Sequence, residues 1–191
     1  RDGMIDAKDK TDLGNGLPKY TFGFNIMLGW KGFDLGLNAT GAAGFKIAQS
    51  YRNPNAAQAN YSRSILDRWT GEGTSNKMPR VTYNDVGNWL FSDLYLQDGD
   101  YIRLQNLTLG YDFKRLIAWK GISRLRLYLQ AQNLLTLTKY DGMDPEVGSY
   151  NGTDANHVNS DGSTTQTWVS GVDMGYYPHP RTFIVGVNIA F

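Results

Sequence analysis

Tyr20-Thr21-Phe22-Gly23-Phe24-Asn25-Ile26-Met27-Leu28-Gly29-Trp30 is the stretch that decides the fold. Every even position is aromatic or aliphatic, while Thr21, Gly23, Asn25, Met27 and Gly29 lie between. Period two over such a run is a β-strand with one apolar face. Lys31-Gly32 interrupts it, and Phe33, Leu35, Leu37, Ala39 and Gly41 resume the alternation on odd positions. Two turn residues between two alternating runs make a tight hairpin. Trp30 and Phe33 then face each other on one side, so the parity switch is what the hairpin geometry requires.

The same pattern recurs downstream. Leu107, Leu109, Tyr111 and Phe113 alternate with Thr108, Gly110 and Asp112, whereas Ile102 and Leu104 sit on even positions. That change of parity predicts a bulge near Gln105. After Lys114–Gly121, Leu125, Leu127, Leu129 and Ala131 alternate with Arg124, Arg126, Tyr128, Gln130 and Gln132. One face is aliphatic and the other charged or amide, which places Arg124, Arg126 and Gln130 on the water-filled side of a wall. Phe183, Val185, Val187, Ile189 and Phe191 form the last run. Strands are expected at about 19–30, 33–42, 101–113, 124–135 and 182–191. Between them lie two long polar stretches, about 43–99 and 138–181, with a short turn of helix near Tyr61–Trp69 as the only further element expected. Connections of this length are usually functional.

The connections alternate strictly between short and very long. Outer-membrane β-barrels carry this asymmetry, with short periplasmic turns and long extracellular loops, and a tilted spanning strand needs about 9–11 residues. An antiparallel all-β transmembrane barrel is therefore the expected fold, with 1–191 as a portion of one barrel domain. If the short turns are periplasmic, the C-terminus is periplasmic too. Trp30, Phe33, Tyr111, Phe113, Trp119 and Phe191 would then form one interfacial aromatic girdle. A terminal aromatic on an alternating strand also resembles the signal read by the barrel-assembly machinery. No stretch reaches the ~20 apolar residues of a spanning helix. A soluble glycan-binding β-sandwich explains the alternation equally well, but not the alternating connection lengths. The start, Arg1-Asp2-Gly3-Met4, is neither an initiator methionine nor a signal peptide, so the expectation is a lost signal or a piece of a longer chain.

The chemistry the residues offer is binding rather than catalysis. With 19 basic and 18 acidic residues, no strong field invites nucleic acid. The absence of cysteine removes thiol catalysis, disulfides and cysteine-based zinc sites. His157 and His179 show no metal-ligand spacing, and no Gly-x-Ser-x-Gly elbow occurs. No enzyme and no resident cofactor are expected. Asp141-Gly142-Met143-Asp144-Pro145-Glu146 offers oxygen ligands of the kind calcium takes, without the periodicity of a calcium loop. Trp69, Trp89, Tyr150, Trp168 and Tyr176 lie in the long connections among amides and carboxylates. Aromatic faces stacked on sugar rings, with amides bonding the hydroxyls, are a means of gripping glycans. Peptides can use the same surface, and packing within the loops or against a lid is the competing role.

Several blocks carry a resemblance. Tyr101-Ile102-Arg103-Leu104-Gln105-Asn106-Leu107-Thr108-Leu109-Gly110-Tyr111 resembles a strand of the SusC/RagA family of TonB-linked outer-membrane proteins. Leu125 through Leu134, Thr138-Lys139-Tyr140 and Gly142-Met143-Asp144-Pro145-Glu146 resemble its next block. Gly171-Val172-Asp173, Tyr177-Pro178 and Pro180-Arg181-Thr182-Phe183 resemble its closing block. Upstream, Gly16-Leu17-Pro18 through Phe24 and Lys31-Gly32-Phe33-Asp34-Leu35 match its hairpin. The blocks occur in family order across nearly the whole chain. The resemblance implies a 22-stranded, plugged barrel of which this would be the last five strands. It implies nutrient import, of oligosaccharides or peptides, energised by TonB through a region outside this chain. A SusD-like surface lipoprotein would be the partner, beside the plug, the rest of the barrel and outer-membrane lipid. Another TonB-dependent receptor, for a siderophore or vitamin, would share the barrel without the lipoprotein.

Overall fold

Lys31 and Gly32 adopt φ of 48° and 94°. Two successive positive φ values make the type I′ turn whose twist suits a two-residue hairpin. They join β1 (Tyr20–Trp30) to β2 (Phe33–Ala43), with Trp30 opposite Phe33. The computed structural model describes residues 10–50, 63–81, 91–116, 120–147, 150–158 and 164–191, with only the backbone described for Arg115, 150–158 and 164–169.

Among the described residues, ten strands follow one another in chain order. After β2 come β3 (Lys46–Gln49), β4 (Leu96–Asp98), β5 (Tyr101–Asp112) and β6 (Arg124–Thr138). Then come β7 (Tyr150–Val158), β8 (Thr164–Val169), β9 (Val172–Asp173) and β10 (Thr182–Ala190). The five long strands form one antiparallel sheet in the order β1-β2-β5-β6-β10, a meander in which each long strand pairs with the next.

The register assembles the alternating residues into rows. Leu28, Leu35, Leu109, Leu129 and Val185 lie side by side across all five strands, as do Ile26, Leu37, Leu107, Ala131 and Phe183. The change of parity at Gln105 is absorbed by a bulge: Leu104 pairs with Leu135 and Asn106 with Gln132, leaving Gln105 opposite Asn133 and Leu134. Asn133 takes φ 51°, and its amide donates to the Pro180 carbonyl at 3.1 Å. Ile102, Leu104, Leu135 and Leu137 thereby stay on the apolar face.

That face is not a core. Leu28 is 59 % exposed, Leu129 55 % and Val185 70 %, so among the described residues no second layer covers the rows. A sandwich would bury them, and the sandwich reading is set aside on this ground. The buried apolar cluster lies instead at the end with the long connections, where Ala42, Phe45, Ile47 and Tyr140 pack with Tyr101 and Val147.

The long connections hold more order than their composition suggests. β3 and β4 lie in the first, β7, β8 and β9 in the second, and the helical turn is 3-10, Arg63–Asp67. Strands of two to four residues have no readable period, and these form by tertiary pairing. At the other end, Phe113 leaves the ladder to begin a 3-10 turn capped by Asp112, whose carboxylate accepts from Lys114 N at 2.9 Å.

Candidate functional site

The rim above the sheet is where separate parts of the chain converge. β3 pairs with β4 antiparallel and with β9 parallel, so both long connections share one small sheet. The segment leading into β1 joins it, since Asn15 O accepts from Lys46 N at 2.8 Å. Gly16 and Gly171 meet where this segment crosses β9. A Cβ on Gly171 would stand 2.6 Å from Gly16 Cα, and Gly171 has φ +74°, so only glycine suits both the contact and the backbone. Asp141 N donates to the Gln97 side chain at 2.8 Å, and Thr138 Oγ1 donates to Asp100 O at 2.8 Å. Lys46 Nζ meets Asp98 Oδ1 at 2.6 Å on the outside of this sheet, and this hydrogen bond holds the Asp98 carboxyl below the usual range.

Beneath the rim lies a buried polar centre. Arg103 on β5 is 2 % exposed. It donates through Nη2 to Asp144, and its Nη1 lies 3.0 Å from Glu146 Oε2. Asp144 also accepts from the backbone N–H of Glu146 at 2.9 Å and of His179 at 3.1 Å. Burial alone would push the Asp144 carboxyl up. The two N–H groups and the guanidinium outweigh it and hold the carboxyl below the usual range. The His179 ring reaches back, its Nε2 3.7 Å from Glu146 Oε2. Nearby, Tyr140 donates to Asp173 at 2.5 Å, and Asp173 accepts from Gly175 N at 2.8 Å and Tyr176 N at 3.1 Å. Asp144, held by Arg103, thus ties the start of the 139–181 connection to its end at His179.

The polar face of the wall is cross-linked in itself. Arg126 reaches from β6 across β5 to Asp34 on β2 as a two-pronged pair, Nε to Oδ1 at 2.8 Å. Gly110 on β5 leaves room for that bridge: a Cβ there would stand 2.5 Å from Asp34 Oδ1 and 2.6 Å from Arg126 Nε. Gln130 donates to Asn106 at 3.2 Å. Arg124 is exposed and stands 3.6 Å from Asp112. Of the three side chains expected on the water-filled side, all lie on the face opposite the apolar rows. Arg126 and Gln130 spend their heads within the wall.

The described loop aromatics lie on several segments of the two long connections. Trp69 is half-exposed, its backbone N–H held by Met78 O at 3.0 Å. Tyr176 is half-buried beside Asp173. Tyr150 and Trp168 belong to the β7–β8 hairpin, with Asn151 opposite Trp168. Trp89 and Trp119 lie outside the described residues. At the short-turn end, Phe33 packs on Tyr111 at 4.5 Å and Tyr111 edge-on to Phe113 at 4.9 Å. Lys31 Nζ stands 4.8 Å from the Trp30 ring, and Phe191 is exposed. Among the described residues, no group of three or more His, Cys, Asp or Glu side chains is placed to hold a metal ion, and Asp144 of the acidic stretch is taken up by Arg103.

Sequence reasoning singled out the aromatics and missed Arg103. The available signal was an arginine inside an alternating strand, two residues from the bulge, and the only basic residue of β5.

No family model matches the chain. TonB-dependent receptor P3 of Formosa agariphila is 33 % identical over 191 residues, covering 99 % of this chain and 18 % of the receptor. TonB-dependent receptor SusC of Bacteroides thetaiotaomicron is 25 % identical over 193 residues, covering 99 % of this chain and 17 % of SusC. The chain is a SusC/RagA-like part of a TonB-dependent receptor. The structure of the RagAB peptide transporter superposes with a TM-score of 0.72 at 25 % identity, over 98 % of this chain and 19 % of that one. The chain spans less than a fifth of the length of the curated relatives it matches. The five-stranded meander is therefore barrel wall of an outer-membrane TonB-dependent receptor, and the converging connections form a rim at one end of that wall.

Proposed function

We propose that this chain supplies wall and extracellular rim to a transporter that imports oligosaccharides or peptides under a SusD-like surface lipoprotein. The observation that carries the reading is the two-faced wall. Five strands present unbroken apolar rows on one side and hydrogen-bonded polar groups on the other, as lipid outside and a water-filled or plugged lumen inside demand. The likeness to SusC and to the RagAB peptide transporter supports the nutrient class. Plug, TonB contact and most of the cavity belong to the rest of the receptor. The short turns face the periplasm, which puts Trp30, Phe33, Tyr111, Phe113 and Phe191 in the girdle of that boundary. The rim then faces outward, and the β7–β8 hairpin with Tyr150 and Trp168, together with Tyr176, meets substrate or lipoprotein. The reading is one of binding and transport rather than catalysis.

The test is purification of the native receptor from outer membranes, followed by an uptake assay. A surface lipoprotein co-purifies, deletion of the receptor abolishes uptake of an oligosaccharide or peptide, and Trp168→Ala with Tyr176→Ala weakens it. A receptor without a lipoprotein, whose loss leaves both nutrient classes entering normally, would overturn the proposal in favour of siderophore or vitamin uptake.

A further inference from the structure

The rim lies over one face of the wall and not the other. At the rim end of the sheet Ala42 and Tyr101 stand in one row with Thr21 and Thr138, and Thr40 and Arg103 in the next with Gly23 and Thr136. Both rows belong to the polar face. Ala42 is 4 % exposed and Arg103 2 %, and the Thr40 hydroxyl is buried. The apolar face at the same level is open, with Leu135 47 % and Leu137 58 % exposed. Away from the rim, Asn25 and Asn188 on the polar face are exposed as well.

The cover comes from both long connections. Gly44 takes φ +80° directly after β2, a conformation glycine adopts freely, and its N–H donates to Asp100 Oδ1 at 2.7 Å. The chain turns there, and Phe45 and Ile47 pack with Ala42 and Tyr101. Tyr140 and Val147 join them from the second connection. Asp144 and Glu146 close over Arg103, and Asp144 holds the His179 N–H beside them.

We infer that the two connections form a shelf folded inward over the barrel mouth, which limits the width of cargo that passes, with Arg103 as the residue that holds it in position. The parity of the covered residues carries this. Connections folded outward would bury Leu135 and Leu137 and leave Arg103 bare. A layer packed on a sheet stands about 10 Å from it, so the shelf narrows one arc of the mouth by about that depth. Apolar packing alone is non-directional. The guanidinium must meet its carboxylates in a fixed geometry, which sets the shelf in one place. The inference rests on the outward-facing rim proposed above.

The test uses the full-length receptor in mild detergent, with one cysteine introduced at a time into a chain that has none of its own here. Gln132→Cys lies on the polar face one row below Arg103, and Asn188→Cys on the same face at the short-turn end. Labelling rates are measured with N-ethylmaleimide and with a maleimide carrying a polyethylene glycol chain, against a receptor without the added cysteine. At Gln132→Cys the small reagent reacts and the bulky one lags. Arg103→Met, and equally Asp144→Asn, raises the bulky rate there about tenfold, the response to roughly 1.4 kcal/mol of lost rim stability. At Asn188→Cys both rates stay as they were, which a general loosening of the barrel would not allow. Heat-modifiable migration on gels confirms that each variant is a folded barrel. Both reagents reacting alike at Gln132→Cys in the otherwise unchanged receptor overturns the shelf. So does a bulky rate that neither variant raises, or a Gln132→Cys that no reagent reaches in any of them. If the native chain fractionates away from the outer membrane, the wall reading fails instead, and the two failures are told apart.

Discussion

The wall and the rim are stabilised by opposite means. In the wall each residue does a small, repeated job: one row of Leu28, Leu35, Leu109, Leu129 and Val185 is built like the next. In the rim single residues carry much more, because the buried Arg103 holds Asp144, and Asp144 joins two ends of one connection. The wall should therefore tolerate any one apolar exchange, and the rim should not tolerate loss of its arginine. Arg103→Met leaves Asp144 buried without its cation, which costs about 3–5 kcal/mol. Hydrogen exchange on the detergent-solubilised receptor should show amides of 139–147 and 170–181 exchanging faster while β1, β2 and β10 stay protected. Unchanged protection of the rim would mean that Arg103 is incidental. Acid offers the same test without mutation. The Asp144 carboxyl is held below its ordinary 3.8, so the folded state takes up the proton less readily. Its contribution is whole above 3.8 and is lost as pH falls through the lower folded value. Rim exchange should rise only at such pH, and a rise beginning near neutrality would point to another group.

The wall can be broken by polarity on the wrong face. Leu129→Arg puts a charge among the apolar rows and costs about 2–4 kcal/mol in lipid. Gln130→Arg, one residue on and on the opposite face, gives up the bond to Asn106 and should cost less, about 0.5–1.5 kcal/mol. Equal effects would deny that the two faces see different media. A subtler break lies at Gly110, where a Cβ must displace Asp34 or Arg126 and costs about 1–3 kcal/mol. Combining Gly110→Ala with Asp34→Ala should recover part of that loss, a coupling that a double-mutant cycle of melting measures. Strict additivity would mean that the glycine serves some other purpose.

The same contrast explains what was legible. Each wall strand announces itself because lipid on one side and polar groups on the other impose period two on every residue, down to the parity change that marks the bulge at Gln105. Gly110 could be read as a residue of a family motif, but its purpose appears only when register sets it between Asp34 and Arg126. β3, β4 and β9 are too short for a period, and their hydrogen bonds run to segments distant in the chain. Arg103, Asp144 and Asp173 were visible as letters of three separate blocks, and only folding reveals that Arg103 takes Asp144 while Tyr140 takes Asp173. Trp69 and Tyr176 drew notice by residue type, which carries no record of where the fold sets each side chain.

The mildest contrast sets the buried pair against an exposed one in the same rim. Lys46 and Asp98 meet at 2.6 Å, yet their side chains are 41 % and 59 % exposed, so water screens much of the attraction. Asp98→Asn should cost only roughly 0.2–1 kcal/mol. Salt should shrink even that, whereas the Arg103–Asp144 pair, shielded from counter-ions, should respond little. Melting of wild type and both variants at low and high salt measures the difference. A large, salt-insensitive loss for Asp98→Asn would mean that the β3–β4 edge is covered in the assembled receptor, and that the rim's strength is shared between its outer pair and its buried one.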